Sequence, residues 1–429
     1  MQQKTRFREL GGFVKLLKIG GVVIGGVLVL LVAAAGWVWS EIQSPRDIDA
    51  STASPRGDTF LTNFYERPPN LPERPGTLIR QEALEGLATL AKAGSNIRIL
   101  YSSTDGLDGE TTNAVSGAVY LPQGDAPEGG WPLLVWSHGT VGIGDTCAPS
   151  FAGHGTRDPQ YLNPWLEQGY AIAASDYQGL GMPGTHPYMD ARTMAFNNLD
   201  LVRAVQSGGF PVSGAVFIAG QSQGATGALA AASYADQYAP DVKLRGIIAT
   251  GVPYFSPSVM WDLVANSDRN AVSPSLPLSL YMLAFAEMID PESRMDALLS
   301  DKAKPVASKV GETCAFDFID ASKNAGLSTA NTFVNRPDIA LLKVLRRADL
   351  PSLNFRIPVF TGSGTNDEIT PFAMQQAFIA DACAADARIT ARTYQGANHN
   401  DGLLRSTLDA QQFARAVMAD GNVEASCSG

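Results

Sequence analysis

Short apolar runs alternate with longer stretches of helical periodicity along most of this chain. Residues 133–136, 171–175, 215–219 and 246–250 are brief runs of apolar and small residues, each bounded by polar or glycine-bearing segments. Runs of that length read as buried strands, and the helical stretches between them predict a mostly parallel sheet. Residues 97–102 and 114–121 read as two consecutive antiparallel strands at one side of it, and residues 358–361 and 389–394 continue the sheet near the end. Residues 81–93 predict a first helix, and the Ala-rich stretch 223–238 predicts another directly after a strand. From residue 252 to 351 the spacing is helical, without a clear strand, and includes "LPLSLYMLAFAEMI". A segment that long is not a loop, so it predicts an inserted, mainly helical subdomain.

Residues 19–39, "IGGVVIGGVLVLLVAAAGWVW", carry no charge over a length sufficient to cross a bilayer. Lys4, Arg6, Arg8, Lys15 and Lys18 precede this stretch, and Glu41, Asp47 and Asp49 follow it. That asymmetry places the amino end in the cytoplasm and the rest of the chain outside. A signal peptide cleaved near Ala33-Ala34-Ala35 is the alternative to an anchor. Residues 41–76 are rich in proline and polar residues and read as a tether and extended lead-in rather than core. The expected organisation is therefore a transmembrane or signal segment over 1–40, the lead-in over 41–76, and a catalytic-sized domain over 77–429 with its insertion at about 252–351.

The chain has 429 residues, 45% of them hydrophobic, and a net charge of −10. It is large enough for one big core, and its acidity argues against nucleic acid as a partner. The four cysteines, Cys147, Cys314, Cys383 and Cys427, have no C-x-x-C spacing. They suit two long-range disulfides if the domain folds outside the cytoplasm, with three pairings open.

Candidate chemistry centres on "VFIAGQSQGATGALAAA", where Gly220-x-Ser222-x-Gly224 sits between a strand and a helix. A sharp turn of this kind holds the serine hydroxyl out of the chain, above a helix N-terminus that favours developing negative charge. A serine nucleophile needs a base. Of the histidines His138, His154, His186 and His399, only His399 follows Ser222, as the hydrolase chain order of nucleophile, acid, histidine requires. The acid belongs after the preceding strand, where "GTNDEITP" offers Asp367, with Glu368 beside it as the weaker choice. "WSHGTVG" ends a buried strand upstream, where one backbone N–H of an oxyanion site is expected, and Gln223 after the serine would supply the second. His138 is then a loop-shaping residue, and His154 and His186 are structural or pocket-rim residues without metal-ligand spacing.

With these pieces in hand, the chain resembles the secretory lipase family of α/β-hydrolases. The resemblance runs from about residue 64 to 427 and rests on "FYERPPNLPERPGTLIR", "YSSTDGLDG", "HGTVGIGDTCAPS", "GYAIAASDYQGLG", "GQSQGA", "GTNDEITP" and "GANHND" in family order. It implies an α/β-hydrolase fold, a mostly parallel sheet with a helical cap, and a serine carboxylic ester hydrolase acting on acylglycerols or simpler esters. It implies Ser222, Asp367 and His399 as the triad, oxyanion donors at Thr140 and Gln223, and disulfides Cys147–Cys314 and Cys383–Cys427. It implies no metal or organic cofactor, and a lipid or small ester as partner, with the membrane as a second partner through the N-terminal helix. The insertion would be a lid whose helix around "LPLSLYML" lines an acyl pocket. Two departures are visible: the family is usually secreted after signal cleavage, and Gln223 stands where a yeast member has glycine, which bears on acyl length. The other readings of the residues are cleavage of an amide or phenolic ester, and a non-catalytic membrane-tethered binding protein.

Overall fold

The computed structural model describes residues 57–266, 268–420 and 423–427. The candidate anchor at 19–39 and the tether as far as residue 56 lie outside the described residues. Among the described residues, no helix is long and apolar enough to cross a membrane. The chain separates into residues 1–48 and a second unit, 49–429, which holds everything below.

Among the described residues, nine strands form one sheet in the order β1-β2-β3-β5-β4-β6-β7-β8-β9. They are β1 (Leu78–Ala83), β2 (Ala93–Thr104), β3 (Thr112–Pro122), β4 (Trp131–Ser137), β5 (Ala171–Ser175), β6 (Val212–Gln221), β7 (Leu244–Thr250), β8 (Val359–Gly364) and β9 (Ile389–Tyr394). β1, β2 and β3 pair antiparallel and join β5 antiparallel, whereas every pairing from β5 through β4 to β9 is parallel. The chain leaves β4 to one side for β5 and then returns to the other side as β6. In open α/β sheets, ligands bind at the carboxyl ends of strands flanking such a reversal.

Helices α1 (Arg157–Glu167), α2 (Ala191–Ser207) and α3 (Gln223–Tyr238) cover the first half of the sheet. Alternate strand residues serve opposite faces. Leu133, Val135, Val216 and Ile218 join a core with α2 and α3, while Leu134, Trp136, Phe217 and Ala219 join one with Trp165 of α1. Both faces are filled, which is why these strands read as continuous apolar runs.

Between β7 and β8 lies the insertion, built on α4 (Pro257–Asn266), α5 (Leu276–Ile289), α6 (Ala315–Asn324) and α7 (Asp338–Arg347) with shorter turns between them. After β8 come α8 (Phe372–Ala384) and, last, α9 (His399–Met418). The insertion has its own core around Leu280, Leu283 and Phe285 of α5, and Ile143, Tyr188 and Met189 of the sheet domain complete it. It is held to that domain by the Cys147–Cys314 disulfide, by Ala315 N–H donating to the Val141 carbonyl, and by an ion pair from Arg347 to the buried Asp190. A second disulfide joins Cys383 at the end of α8 to Cys427.

Two expectations change. Residues 81–93 do not form a helix: β1 pairs Gln81 with Ile99 and Ala83 with Ile97, and only a 3-10 turn, Gly86–Ala88, follows. Helix propensity is a weak prior, and satisfying the edge of β2 with a ladder overrides it. The lead-in, over its described part, is packed rather than loose, since Phe64 and Tyr65 are buried against Leu100, Ala114 and Met182. On α5, Leu276, Leu280 and Leu283 are buried in a core that Ile143, Tyr188 and Met189 of the sheet domain complete.

The lead-in straps onto the domain through Asp145. Its N–H donates to the Gly57 carbonyl and its carboxylate accepts from Thr59 N–H at 2.7 Å. Burial pushes this carboxyl up to about 7; the nearby Asp58 charge adds to the rise, against the donors of Thr59 and Gly181. A carboxyl raised in the folded state costs stability as pH rises from its ordinary range through the folded value. Asp145→Asn keeps the acceptor for Thr59 without the charge. It is therefore expected to raise the thermal midpoint at pH 8 and to leave it nearly unchanged at pH 4. Equal midpoints for the two proteins across this range, by scanning calorimetry, would contradict the assignment.

Candidate active site

Strand β6 delivers Ser222 to the carboxyl edge of the sheet, and α3 begins at the next residue. Ser222 has φ 60° and ψ −124°, a conformation rarely adopted by a residue with a side chain, and its hydroxyl makes no capping bond to its own helix. The flanking glycines are required by contact. A Cβ on Gly220 would lie 2.1 Å from the Gly224 carbonyl oxygen, and one on Gly224 would lie 1.8 Å from that of Ser137. The turn therefore packs backbone to backbone against the end of β4. The Ser222 N–H is anchored on the Thr250 carbonyl at 3.0 Å. As the first residue of α3, Gln223 has no intrahelical acceptor for its N–H.

Asp367 and His399 come together as the loop after β8 meets the start of α9. The His399 Nδ1 lies 2.8 Å from Asp367 Oδ2. Asn398 caps α9 by accepting from the N–H groups of Asn400 and Asp401, which fixes the imidazole at the helix mouth. The Asp367 carboxylate accepts from Ile369 N–H, Thr370 N–H, the Thr370 hydroxyl and the Gln375 amide as well. Burial alone would raise this carboxyl, but the His399 hydrogen bond and charge and the Thr370 donors outweigh it and hold it below its ordinary value. Its contribution to stability is complete above about pH 4 and is lost as pH falls through the lowered folded value. Glu368, the weaker candidate acid, is exposed, and the imidazole of His399 bonds to Asp367 and Thr370.

Two contacts tie the Ser222 turn to this pair. Gln221, the residue before Ser222, donates its side-chain amide to the His399 carbonyl at 3.3 Å, and its own oxygen accepts from Arg157 at 2.9 Å. Gly251, directly after the carbonyl that holds Ser222, faces the imidazole: a Cβ there would stand 3.0 Å from His399 Cε1. Thr140, three residues past β4, places its hydroxyl 2.7 Å from Tyr188 OH.

His138 is buried, stacked on Tyr177 with ring centroids 4.2 Å apart, and bonded through its ring nitrogens to the carbonyls of Gly139 and Asp176. That is the loop-shaping place expected of it. His154 is buried beside Tyr120. His186 is fully buried rather than at a rim, and its Nε2 lies 3.0 Å from the Gln223 side-chain amide. Sequence reasoning missed Gln221, Gly251, Thr370, Gln375 and Tyr188. Only Thr370 carried a local signal, an Asp followed three residues later by Thr being a common self-bonded turn.

A serine on a strained strand-to-helix turn, and an Asp–His pair from the loops after the last two strands of a mostly parallel sheet, are consistent with an α/β-hydrolase fold. The secretory lipase family profile matches residues 156–410, more than half of the chain, and the chain belongs to that family. It is thus a lipase or esterase, a carboxylic ester hydrolase. Among solved structures, lipase A of Candida antarctica in its closed state is similar at 19% identity over 85% of this chain and 87% of that one, with a TM-score of 0.68. The rice cell wall degrading esterase LipA of Xanthomonas oryzae is similar at 20% identity over 81% of this chain and 98% of that one, with a TM-score of 0.61. Likeness at these identities speaks for the fold alone. Among curated proteins, none matches the chain in sequence.

Gly251→Ala tests the imidazole's placement. Gly251 sits at φ +56°, where a side chain costs about 1–2 kcal/mol, and the new methyl would press on His399. The variant is expected to fold but to lose at least about tenfold in kcat/KM on a short ester, since small misplacements of a reacting group cost rate steeply. Unchanged kcat/KM would mean that His399 is not constrained from this side.

Proposed function

We propose that Ser222 is the nucleophile, His399 the general base and Asp367 its orienting acid, in a two-step hydrolysis of acylglycerols or simpler carboxylic esters. The observation that carries this reading is the Gln221 bridge, which links the strained Ser222 turn directly to the backbone of the Asp-bonded His399.

In the first step His399 takes the hydroxyl proton as Ser222 Oγ forms a bond to the ester carbonyl carbon. The carbonyl oxygen becomes an oxyanion, received by the backbone N–H groups of Thr140 and Gln223. The free first turn of α3 adds its positive end to the same place. The tetrahedral adduct then collapses: the carbon–oxygen bond to the alcohol breaks and His399 returns its proton to the leaving oxygen. In the second step water gives a proton to His399 and its oxygen to the acyl carbon, and Ser222 recovers its proton as the acid departs. Asp367, ionised and buried, stabilises the imidazolium in both steps.

The working place is outside the cytoplasm. The family is a secretory one, two disulfides join the chain, and the uncharged stretch 19–39 with its basic leading flank supports export. We extend this to a domain that stays at the membrane on that stretch, facing the exterior, with fractionation of cells expressing the full chain as its check.

Ser222→Ala is expected to keep the fold, by circular dichroism and thermal midpoint, and to lower ester turnover by several orders of magnitude. The measurement is hydrolysis of p-nitrophenyl esters from acetate to palmitate. More than about a tenth of wild-type activity in the variant would sink the assignment of the nucleophile.

A further inference from the structure

The segment between β5 and α2 does more than connect them: it reaches both expected oxyanion donors through side chains. His186 donates its Nδ1–H to the Gln178 carbonyl at 2.9 Å, which leaves Nε2 as the acceptor for the Gln223 amide 3.0 Å away. Burial drives His186 down to about 4, with the Gln178 bond opposing and His138 assisting, so the ring stays neutral and its Nε2 lone pair stays available. Two residues later, Tyr188 OH is paired with the Thr140 hydroxyl at 2.7 Å. The Tyr188 phenol is buried and pushed upward, so it keeps its proton.

The segment is itself over-determined. Tyr177 and Met189 near its two ends hold φ of 70° and 67°, and at Gly179 a Cβ would lie 2.6 Å from His186 N, so the chain doubles back on itself there. Asp190 closes it by capping α2 and pairing with Arg347 of the cap. The Tyr188 ring packs on Tyr281 of α5, centroids 5.5 Å apart.

We propose that His186 and Tyr188 are positioning residues that hold the two oxyanion donors in register, His186 through the Gln223 side chain and Tyr188 through the Thr140 hydroxyl. The cap braces the Tyr188 arm through Tyr281. Gln223 is thus a brace: its amide is buried against His186, which gives the glutamine after the nucleophile a structural purpose. This inference rests on the reading of Thr140 and Gln223 as donors.

Tyr188→Phe keeps the ring against Tyr281 and removes only the hydroxyl. Gln223→Met keeps the volume and backbone N–H and removes only the amide. Each is compared with wild type for kcat and KM on p-nitrophenyl acetate, for inhibition by a boronic acid that forms a tetrahedral adduct on serine, and for thermal midpoint. Losing a donor outright costs about 10²–10³ in kcat, so loosening one is expected to cost about tenfold. Boronic acid affinity should fall by the same factor while KM moves less than about twofold, because only the tetrahedral state uses the donors. In a Thr140→Val background, Tyr188→Phe should have no further effect. Unchanged kcat in either variant, a loss confined to the thermal midpoint, or full additivity with Thr140→Val overturns the proposal. If these appear while Ser222→Ala is inactive, the nucleophile assignment stands and only the positioning role falls.

Discussion

The approach of Gly224 to the Ser137 carbonyl is the contact on which the active edge is built. No side chain fits there, so the end of β6 and the first turn of α3 lie directly on the end of β4. This single close packing bends the chain at Ser222 into its strained conformation and brings the loop carrying His138 and Thr140 beside it. The strain is tolerable because both partners are central strands of a parallel sheet, held on each side by hydrogen-bonded neighbours. A weaker frame would relax it.

From that edge the polar groups spread inward instead of toward solvent. Asp367 satisfies its buried carboxylate with backbone and side-chain donors of its own turn. His186, His138 and Tyr177 bond to neighbouring carbonyls and hydroxyls. Such groups are costly when unpaired and orienting when paired, because in a low dielectric each bond has few alternatives. The site is thus held by buried hydrogen bonds as well as by close backbone packing. The cap is fastened to the sheet domain by the Cys147–Cys314 disulfide, the Ala315–Val141 hydrogen bond and the Arg347–Asp190 ion pair, and by packing that includes the Tyr188–Tyr281 contact.

The lead-in adds a different balance. Phe64 and Tyr65 are buried on the antiparallel side of the sheet while Phe60 is exposed, and the backbone is fastened beside Asp145, whose charge the site disfavours. A segment rich in proline and polar residues can still be ordered where a few aromatic anchors offset the entropy of fixing it. Composition averaged over the segment hides those anchors.

Much of the frame was legible in the chain's local pattern. β5, β9 and α3 fall where their apolar runs place them, and the Gly220-x-Ser222-x-Gly224 turn, Asp367 after β8 and His399 after β9 follow from strand order, since each is a short-range signal. The failures were longer in range. Residues 81–93 became a strand and a turn because a partner sixteen residues on needed its hydrogen bonds. Gly251 beside His399, Gln221 across to its carbonyl, and the reach of His186 and Tyr188 to Gln223 and Thr140 join residues with no common period or spacing. The sequence by itself determined most of the elements and the local positions of Ser222, Asp367 and His399 relative to them. Tertiary structure alone decided which side chains brace them, because a hydrogen bond or a close approach between distant segments depends on where the whole sheet sets them down.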